Sequence, residues 1–169
     1  LLSQHTPSLN ELHEIIKSFN IWIFLNEKNT EVFAHTQTYF IYFESLFQGL
    51  NIINKWDEDL LVLFFRIGTI YLRMGKTSHA IKYLDKTLEI SKNLQVREDI
   101  LNAIYNNLSE AHRQDDKFQK AHGYMNKSIT ITKNISKIDN VLKYANQAML
   151  YLTSGDYEEA DHSFLQKEK

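Results

Sequence analysis

A pattern of small, aromatic and turn residues recurs along most of the chain with a period near 40 residues, and it limits the fold more than any other feature. The segments IKYLDKTLEIS (81–91) and HGYMNKSITIT (122–132) share a tyrosine, a lysine and an isoleucine at equal spacing. Each segment follows an alanine, Ala80 or Ala121, and a third copy follows Ala160. Periods of roughly 20–50 residues are typical of solenoids, in which each repeat packs on its neighbours.

The same residue types recur at fixed distances from these three alanines. A small residue lies twelve positions before each alanine, a ring nine before, a turn residue five before, and a large apolar residue four after. These columns are Gly68, Ser109 and Ala148; Tyr71, His112 and Tyr151; Gly75, Asp116 and Gly155; and Leu84, Met125 and Phe164. Because two helices approach closely only where small side chains face each other, the columns predict tightly packed helical hairpins.

Over residues 61–166 this order of columns resembles the tetratricopeptide repeat. The resemblance implies an all-α, right-handed solenoid of about four helical hairpins. Three departures accompany it: the spacing is near 40 rather than about 34 residues, no proline ends the second helices, and Gln147 replaces the Ile67 and Leu108 of the other copies. The longer spacing predicts longer helices or longer links between hairpins.

Local signals predict the boundaries of the helices and of the repeats. Ser8 with Glu11 and Asp156 with Glu159 are capping-box patterns, and the lysine–asparagine pairs at 92–93 and 133–134 are typical of helix ends. The predicted helices are 8–26, 30–48, 58–74, 77–92, 98–114, 117–133, 138–153 and 156–168. Residues 1–57 would form a divergent N-terminal hairpin, and 58–169 three repeats at about 58–97, 98–137 and 138–169, in one continuous domain.

Composition argues against several classes of function. A net charge of −2 provides no general field for nucleic acid, and no apolar run approaches the roughly 20 residues that span a bilayer. The absence of cysteine is compatible with a reducing, cytoplasmic compartment. The seven histidines form no compact ligand motif, and His112 occupies a packing column. We therefore expect no catalytic residues, no metal and no cofactor.

Polar residues on the first helix of each hairpin mark the candidate binding surface. In the repeat family this helix lines the concave face, which here carries Phe65, Leu72 and Leu152 beside polar residues. Asparagine forms helices poorly, and its amide both donates and accepts hydrogen bonds, so asparagines here could hold a peptide backbone. The alternative is that they only bond neighbouring helices. The candidate site residues are Arg66, Asn106, Asn107, Glu110, Arg113, Asn146 and Met149.

The segment YNNLSEAHR (105–113) extends the resemblance to a functional class. It is similar to peptide-binding tetratricopeptide domains, among them the kinesin light chains and the Rap- and PlcR-like bacterial quorum-sensing regulators. This similarity implies a groove for a short peptide and a sensor role in a transcriptional regulator. A general protein–protein interaction scaffold of a larger bacterial protein remains the alternative. Apolar residues with Arg66 or Arg113 predict a ligand that has apolar anchors and an acidic group.

Aromatic residues cover much of the predicted helix within 32–50, including Phe33, Phe40 and Phe43. A helix that is apolar around much of its circumference is normally buried on more than one side. The segment therefore predicts docking of this end against a second copy of the chain, giving a homodimer, or against a further N-terminal domain. The alternative is that the first hairpin buries its aromatic residues within itself.

Overall fold

Every regular element in the described part of the chain is an α-helix. The computed structural model describes residues 8–26, 29, 58–131 and 137–165, and it describes only the backbone of residues 9, 12, 137–143, 161, 164 and 165. Seven helices lie in these ranges: α1 Leu9–Asn26, α2 Glu58–Arg73, α3 Thr77–Leu94, α4 Glu98–Gln114, α5 Phe118–Ile131, α6 Lys137–Ser154 and α7 Tyr157–Leu165. The predicted all-α helical-repeat fold is confirmed, while the helix predicted at 30–48 and its aromatic residues lie outside the described residues.

The helices pack as successive hairpins. Helix α2 pairs with α3, α4 with α5, and α6 with α7, and each hairpin also contacts the next through α3 with α4 and α5 with α6. Helix α1 packs against α2, where the Asn20 side chain donates a hydrogen bond of 2.8 Å to the Asp59 carbonyl. The first helices of the hairpins, α2, α4 and α6, therefore alternate with the second helices along the chain of contacts. We call the face of these first helices the inner face, and α1 packs beside α2 at one end of it.

All three hairpin turns have the same backbone geometry. Gly75, Asp116 and Gly155 have φ angles of +67°, +56° and +86°, in the left-handed region. The amide that follows each of them donates a 2.9 Å hydrogen bond to the carbonyl of the ring-column residue five positions earlier. These bonds form the Schellman motif that ends α-helices. The turn column predicted from the sequence is therefore confirmed in each repeat.

Two of the predicted helix-end signals are wrong in detail. Ser8 and Glu11 do form the expected capping box, since each backbone N–H bonds to the other's side chain at 2.8 and 3.3 Å. The Asp156 carboxylate instead accepts a 2.9 Å hydrogen bond from the Ser154 hydroxyl. Helix α3 continues to Leu94, beyond the predicted end at residue 92, because Gln95 rather than Asn93 adopts the left-handed conformation, with φ of +48°. The pair at 133–134 lies outside the described residues.

The small-residue columns mark the closest approach of paired helices. A Cβ atom added to Gly68 of α2 would lie 2.8 Å from the Leu84 Cγ of α3, so only glycine fits without displacing its neighbour. In the next hairpin the Ser109 hydroxyl donates a 2.9 Å hydrogen bond to the Ala121 carbonyl. The alanine columns are fully buried at 80, 121 and 160. Close packing within hairpins thus follows the sequence columns.

The ring columns form stacked pairs within repeats and a tilted pair between repeats. The Tyr71 ring lies 5.7 Å from Tyr83, and the His112 ring lies 5.5 Å from Tyr124 with an angle of 4° between their planes. Tyr151 contacts His122 of the preceding repeat at 4.3 Å. His112 is only 4% exposed, so its predicted packing role is confirmed.

Acidification should destabilise the fold through the buried imidazoles. Burial, together with the nearby Lys120, lowers the pKa of His112, and burial lowers the pKa of His122. The unfolded chain therefore binds more protons than the native state as the pH falls below about 6.5, so the free energy of unfolding decreases there. We expect the melting temperature of the wild type to fall between pH 7.5 and 5.5, and His112→Phe to make it fall less. An equal fall in both proteins would contradict this origin.

Candidate functional site

The first helices of neighbouring hairpins are joined directly by a side-chain hydrogen bond. The Asn107 amide on α4 donates to the Thr69 hydroxyl on α2 at 2.9 Å, and that hydroxyl donates to the Phe65 carbonyl at 2.8 Å. Asn107, one of the predicted site residues, is thus bonded to a neighbouring helix, which is the alternative interpretation given above. This bond holds α2 and α4 side by side along one face.

A cavity of about 440 Å³ lies on this face between α1, α2 and α4. Its wall is mostly apolar, with Ile23 from α1, Val62 and Phe65 from α2, and Ile100 and Ala103 from α4. Val62 is 37% exposed, so the apolar wall is open to solvent. The volume suits one or two large apolar side chains of a ligand, within the range of roughly 300–1,000 Å³ of protein ligand sites.

Charged groups surround this apolar wall. Arg66 and Arg73 of α2 line the cavity together with Asp99 of α4. The Arg66 guanidinium lies 5.1 Å from the centre of the Phe24 ring on α1, in a cation–π contact. Hydrogen bonds from Arg97 at 3.1 and 2.7 Å hold the Asp99 carboxylate and lower its pKa, so its charge is already balanced.

Glu110 and Arg113 form a closed ion pair one turn apart on α4. The Arg113 guanidinium donates two hydrogen bonds to the Glu110 carboxylate, at 2.7 and 2.6 Å. Burial acts to raise the pKa of Glu110, but the bonds from Arg113 and Gln114 outweigh it and lower that pKa. Both predicted site residues are therefore engaged with each other rather than presented separately.

Asn106 faces the second helix of its own hairpin. Its carbonyl oxygen accepts a 2.8 Å hydrogen bond from the Ser128 hydroxyl of α5, which is fully buried. The Asn106 amide points to Asn102 at 3.5 Å, and the single hydrogen of the Ser128 hydroxyl is shared between the side-chain carbonyl oxygens of Asn102 and Asn106. This polar cluster links α4 to α5 and lies away from the cavity.

The predicted site residues of the third hairpin are exposed to solvent. Asn146 is exposed, Met149 is 53% exposed and Leu152 is 37% exposed, all on α6. Leu72, the apolar groove residue expected in the first hairpin, instead belongs to the hydrophobic core at 7% exposure. Gln147, which departs from the repeat pattern, lines a second cavity of about 300 Å³ between α5, α6 and α7.

Arg66 alone among the predicted site residues lines the cavity between α1, α2 and α4. The sequence reasoning missed the residues that α1 contributes, because its register could not be matched to the repeat. It also missed Val62 and Ala103, which occupy the same column in the first two repeats. That shared column, one turn before Arg66 and Asn107, was the available signal.

The described residues contain neither a metal-binding cluster nor a membrane-spanning helix. Within residues 8–26, 58–131 and 137–165, no three histidine, aspartate or glutamate side chains lie where they could hold a metal ion together. No helix in the same ranges combines the length and apolar character needed to cross a membrane.

Comparison with known families identifies the repeats. Two family models, both described as tetratricopeptide repeat, match residues 58–134 and residues 144–166. The first matched range spans the hairpins α2–α3 and α4–α5, and the second begins within α6 and extends through α7. Neither the curated proteins nor the solved structures provide a match to this chain.

Proposed function

Since the chain contains tetratricopeptide repeats at 58–134 and 144–166, we propose that it binds a short peptide or an extended segment of a partner protein on the face of α2, α4 and α6. The repeats indicate a protein–protein interaction domain. The open, mostly apolar cavity of about 440 Å³ between α1, α2 and α4 carries the proposal. Apolar pockets with a few placed polar groups are typical of sites that bind ligands.

The spacing of α2, α4 and α6 sets the length of the peptide segment that can bind across them. Packed helices lie about 8–10 Å apart, and at that spacing two steps from α2 to α6 would cover roughly 16–20 Å. An extended peptide advances about 3.3 Å per residue and would cross this distance in about six residues. One end of the segment would occupy the cavity, and the other would meet exposed Met149 and Leu152.

A finer version of this function follows from the resemblance of YNNLSEAHR (105–113) to peptide-responsive regulators. In it, the chain is the sensor part of a bacterial regulator that responds to a peptide pheromone. The alternative is a scaffold within a larger signalling or assembly protein. The intact gene separates them: a helix-turn-helix encoded directly upstream favours the sensor, while a kinase or membrane segment favours the scaffold.

Asn107 and Asn146 lie at the same position of successive repeats, and their substitution separates an effect on peptide binding from an effect on stability. Asn146 is exposed, so Asn146→Ala should weaken binding of a hexapeptide selected from a displayed library several-fold and leave the melting temperature unchanged. Asn107→Ala should also lower the free energy of unfolding by about 1 kcal/mol, because it removes the bond to Thr69. Isothermal titration and thermal unfolding measure the two effects. Unchanged binding in Asn146→Ala would remove this residue from the proposed site.

The same selected peptide tests the function as a whole. Hydrogen exchange with and without the peptide should show protection of α2, α4 and α6, because a bound segment shields the inner face. Lys92→Gln, an exposed change on α3, should leave peptide binding unaltered. Protection confined to α3, α5 and α7 would contradict the proposed face.

A further inference from the structure

Three helices meet around the cavity of about 300 Å³ at the junction of the second and third hairpins, which we call the junction cavity. We propose that it binds the guanidinium group of an arginine side chain from a partner protein. The junction cavity lies between α5, α6 and α7, away from the cavity between α1, α2 and α4. The inference therefore goes beyond the proposed function and does not depend on it.

Gln147 places an amide where the other two repeats have hydrophobic core. Ile67 and Leu108 occupy the same column, and both are fully buried. Gln147 is partly buried and lines the junction cavity, and among the described residues no other group forms a hydrogen bond with its amide. A partly buried amide gains free energy when a ligand completes its hydrogen bonds. The third repeat therefore departs from the common pattern at a point where a polar ligand fits.

Two hydroxyl groups of the lining offer acceptors rather than donors. The Thr130 hydroxyl of α5 donates a 2.8 Å hydrogen bond to the Asn126 carbonyl. The Ser163 hydroxyl of α7 donates a 2.9 Å hydrogen bond to the Glu159 carbonyl. A hydroxyl has one hydrogen and two lone pairs, so these bonds use the hydrogens and leave oxygen lone pairs for a ligand. A ligand that bonds to these oxygens must itself be a donor.

Glu159, an exposed residue of α7, adds a carboxylate to the lining. Within the described part of the chain, no hydrogen bond or ion pair engages this carboxylate, and no lysine or arginine lines the junction cavity. Hydrogen bonds between a charged donor and a carboxylate are roughly twice as strong as neutral ones. A cationic donor is therefore the ligand that gains most from this lining.

Two phenol rings favour a planar cation over a compact one. Tyr144 and Tyr151 lie on the same face of α6 as Gln147, three residues before it and four after it. A contact with the His122 ring at 4.3 Å helps to hold the Tyr151 ring in place. A guanidinium is planar, stacks on aromatic rings and carries five N–H donors, whereas an ammonium is a more strongly hydrated point charge. The acceptors and the rings together therefore match arginine better than lysine.

The guanidinium is assigned to a side chain of a partner protein rather than to free arginine. The repeats indicate a protein–protein interaction domain. The volume of about 300 Å³ lies at the lower end of the range for ligand sites, so it suits a single side chain. Free arginine also carries a carboxylate, which the Glu159 carboxylate would repel. Arginine with both main-chain ends blocked should therefore bind better than the free amino acid.

The test is an NMR titration of the full chain with four compounds: N-acetyl-arginine amide, its citrulline and lysine counterparts, and free arginine. Citrulline keeps the shape of arginine but is neutral. We expect the blocked arginine to shift amide resonances of α5, α6 and α7 and to bind about tenfold more tightly than the citrulline compound. The lysine compound and free arginine should bind more weakly than the blocked arginine. Low salt limits screening of Glu159, and about pH 8 keeps the His162 imidazole of the lining from adding an opposing charge.

Three variants locate the contact. Gln147→Leu restores the residue type of Leu108, so it should melt no lower than the wild type and bind the blocked arginine several-fold more weakly. Glu159→Gln should remove the preference for the arginine compound over the citrulline compound. Glu158→Gln makes the same change of charge at the neighbouring exposed position, which does not line the cavity, and should leave that preference intact. The comparison of compounds on the wild type stands even where a variant fails to fold.

Several results would overturn the inference. Equal affinity of the wild type for the arginine and citrulline compounds does so, as does a preference that Glu159→Gln and Glu158→Gln retain equally. Tighter binding of the lysine compound overturns the choice of a guanidinium, and tighter binding of free arginine overturns the assignment to a partner's side chain. Binding of none of the four compounds overturns the site itself, while the proposed function is judged separately by the library-selected hexapeptide on the inner face.

Discussion

Replacing Gly68 with alanine is expected to lower the free energy of unfolding by about 1–3 kcal/mol, because the added methyl group overpacks the contact between α2 and α3. The new Cβ would lie 2.8 Å from the Leu84 Cγ and 3.3 Å from the Leu84 backbone nitrogen. Leu84 is fully buried, so its side chain has no room to withdraw, and its backbone belongs to α3. The first hairpin would have to widen, which disturbs its contact with α4 as well.

Gly123 provides the matched control for this substitution. It also lies inside a helix, α5, but a Cβ added there meets nothing within 4 Å. Gly123→Ala should therefore stabilise the protein by about 0.5–1 kcal/mol, since alanine loses less backbone entropy in a helix. Urea unfolding of both variants measures the difference. A Gly68→Ala variant as stable as Gly123→Ala would show that the two helices do not approach as closely as described.

The hairpins could be predicted from the sequence because the same residue types, and with them the same turn geometry, recur in each repeat. The turn residues Gly75, Asp116 and Gly155 share one backbone conformation, and the hydrogen bonds after them share one length. Because the same turn signal occurs in all three repeats, the helix ends beside it could be predicted to within a few residues. The predicted helix-end contacts were wrong where a side chain has two possible hydrogen-bond partners nearby. Asp156, for example, accepts a hydrogen bond from Ser154 instead of forming a capping box with Glu159.

The candidate site was harder to predict, because position on a face does not fix the partner of a side chain. Asn106 and Asn107 are neighbours in the sequence, yet one bonds to α5 and the other to α2. Glu110 and Arg113 had been taken as separate groove residues, but one helical turn brings them into a bidentate pair. The contribution of α1 follows from tertiary packing alone, since this helix carries none of the repeat columns.

Filling the cavity should strongly weaken ligand binding with little effect on folding, and Ala103→Trp is the substitution that fills it. Ala103 is partly buried on α4 and its methyl group lines the cavity between α1, α2 and α4. An indole placed there occupies the space that an apolar anchor of the ligand needs. Loss of such a central anchor typically costs about 2 kcal/mol or more, so binding of the library-selected hexapeptide should weaken about 30-fold or more.

The unfolding measurement must accompany this binding measurement. Tryptophan forms helices less well than alanine by at most about 0.7 kcal/mol, and the cavity accommodates the ring, so the free energy of unfolding should change by less than about 1 kcal/mol. Gln119→Trp places the same ring on the exposed face of α5 and should leave both quantities nearly unchanged. If Ala103→Trp binds the peptide as tightly as Gln119→Trp, the ligand does not enter this cavity, and the exposed residues of α6 become the remaining anchor on the inner face.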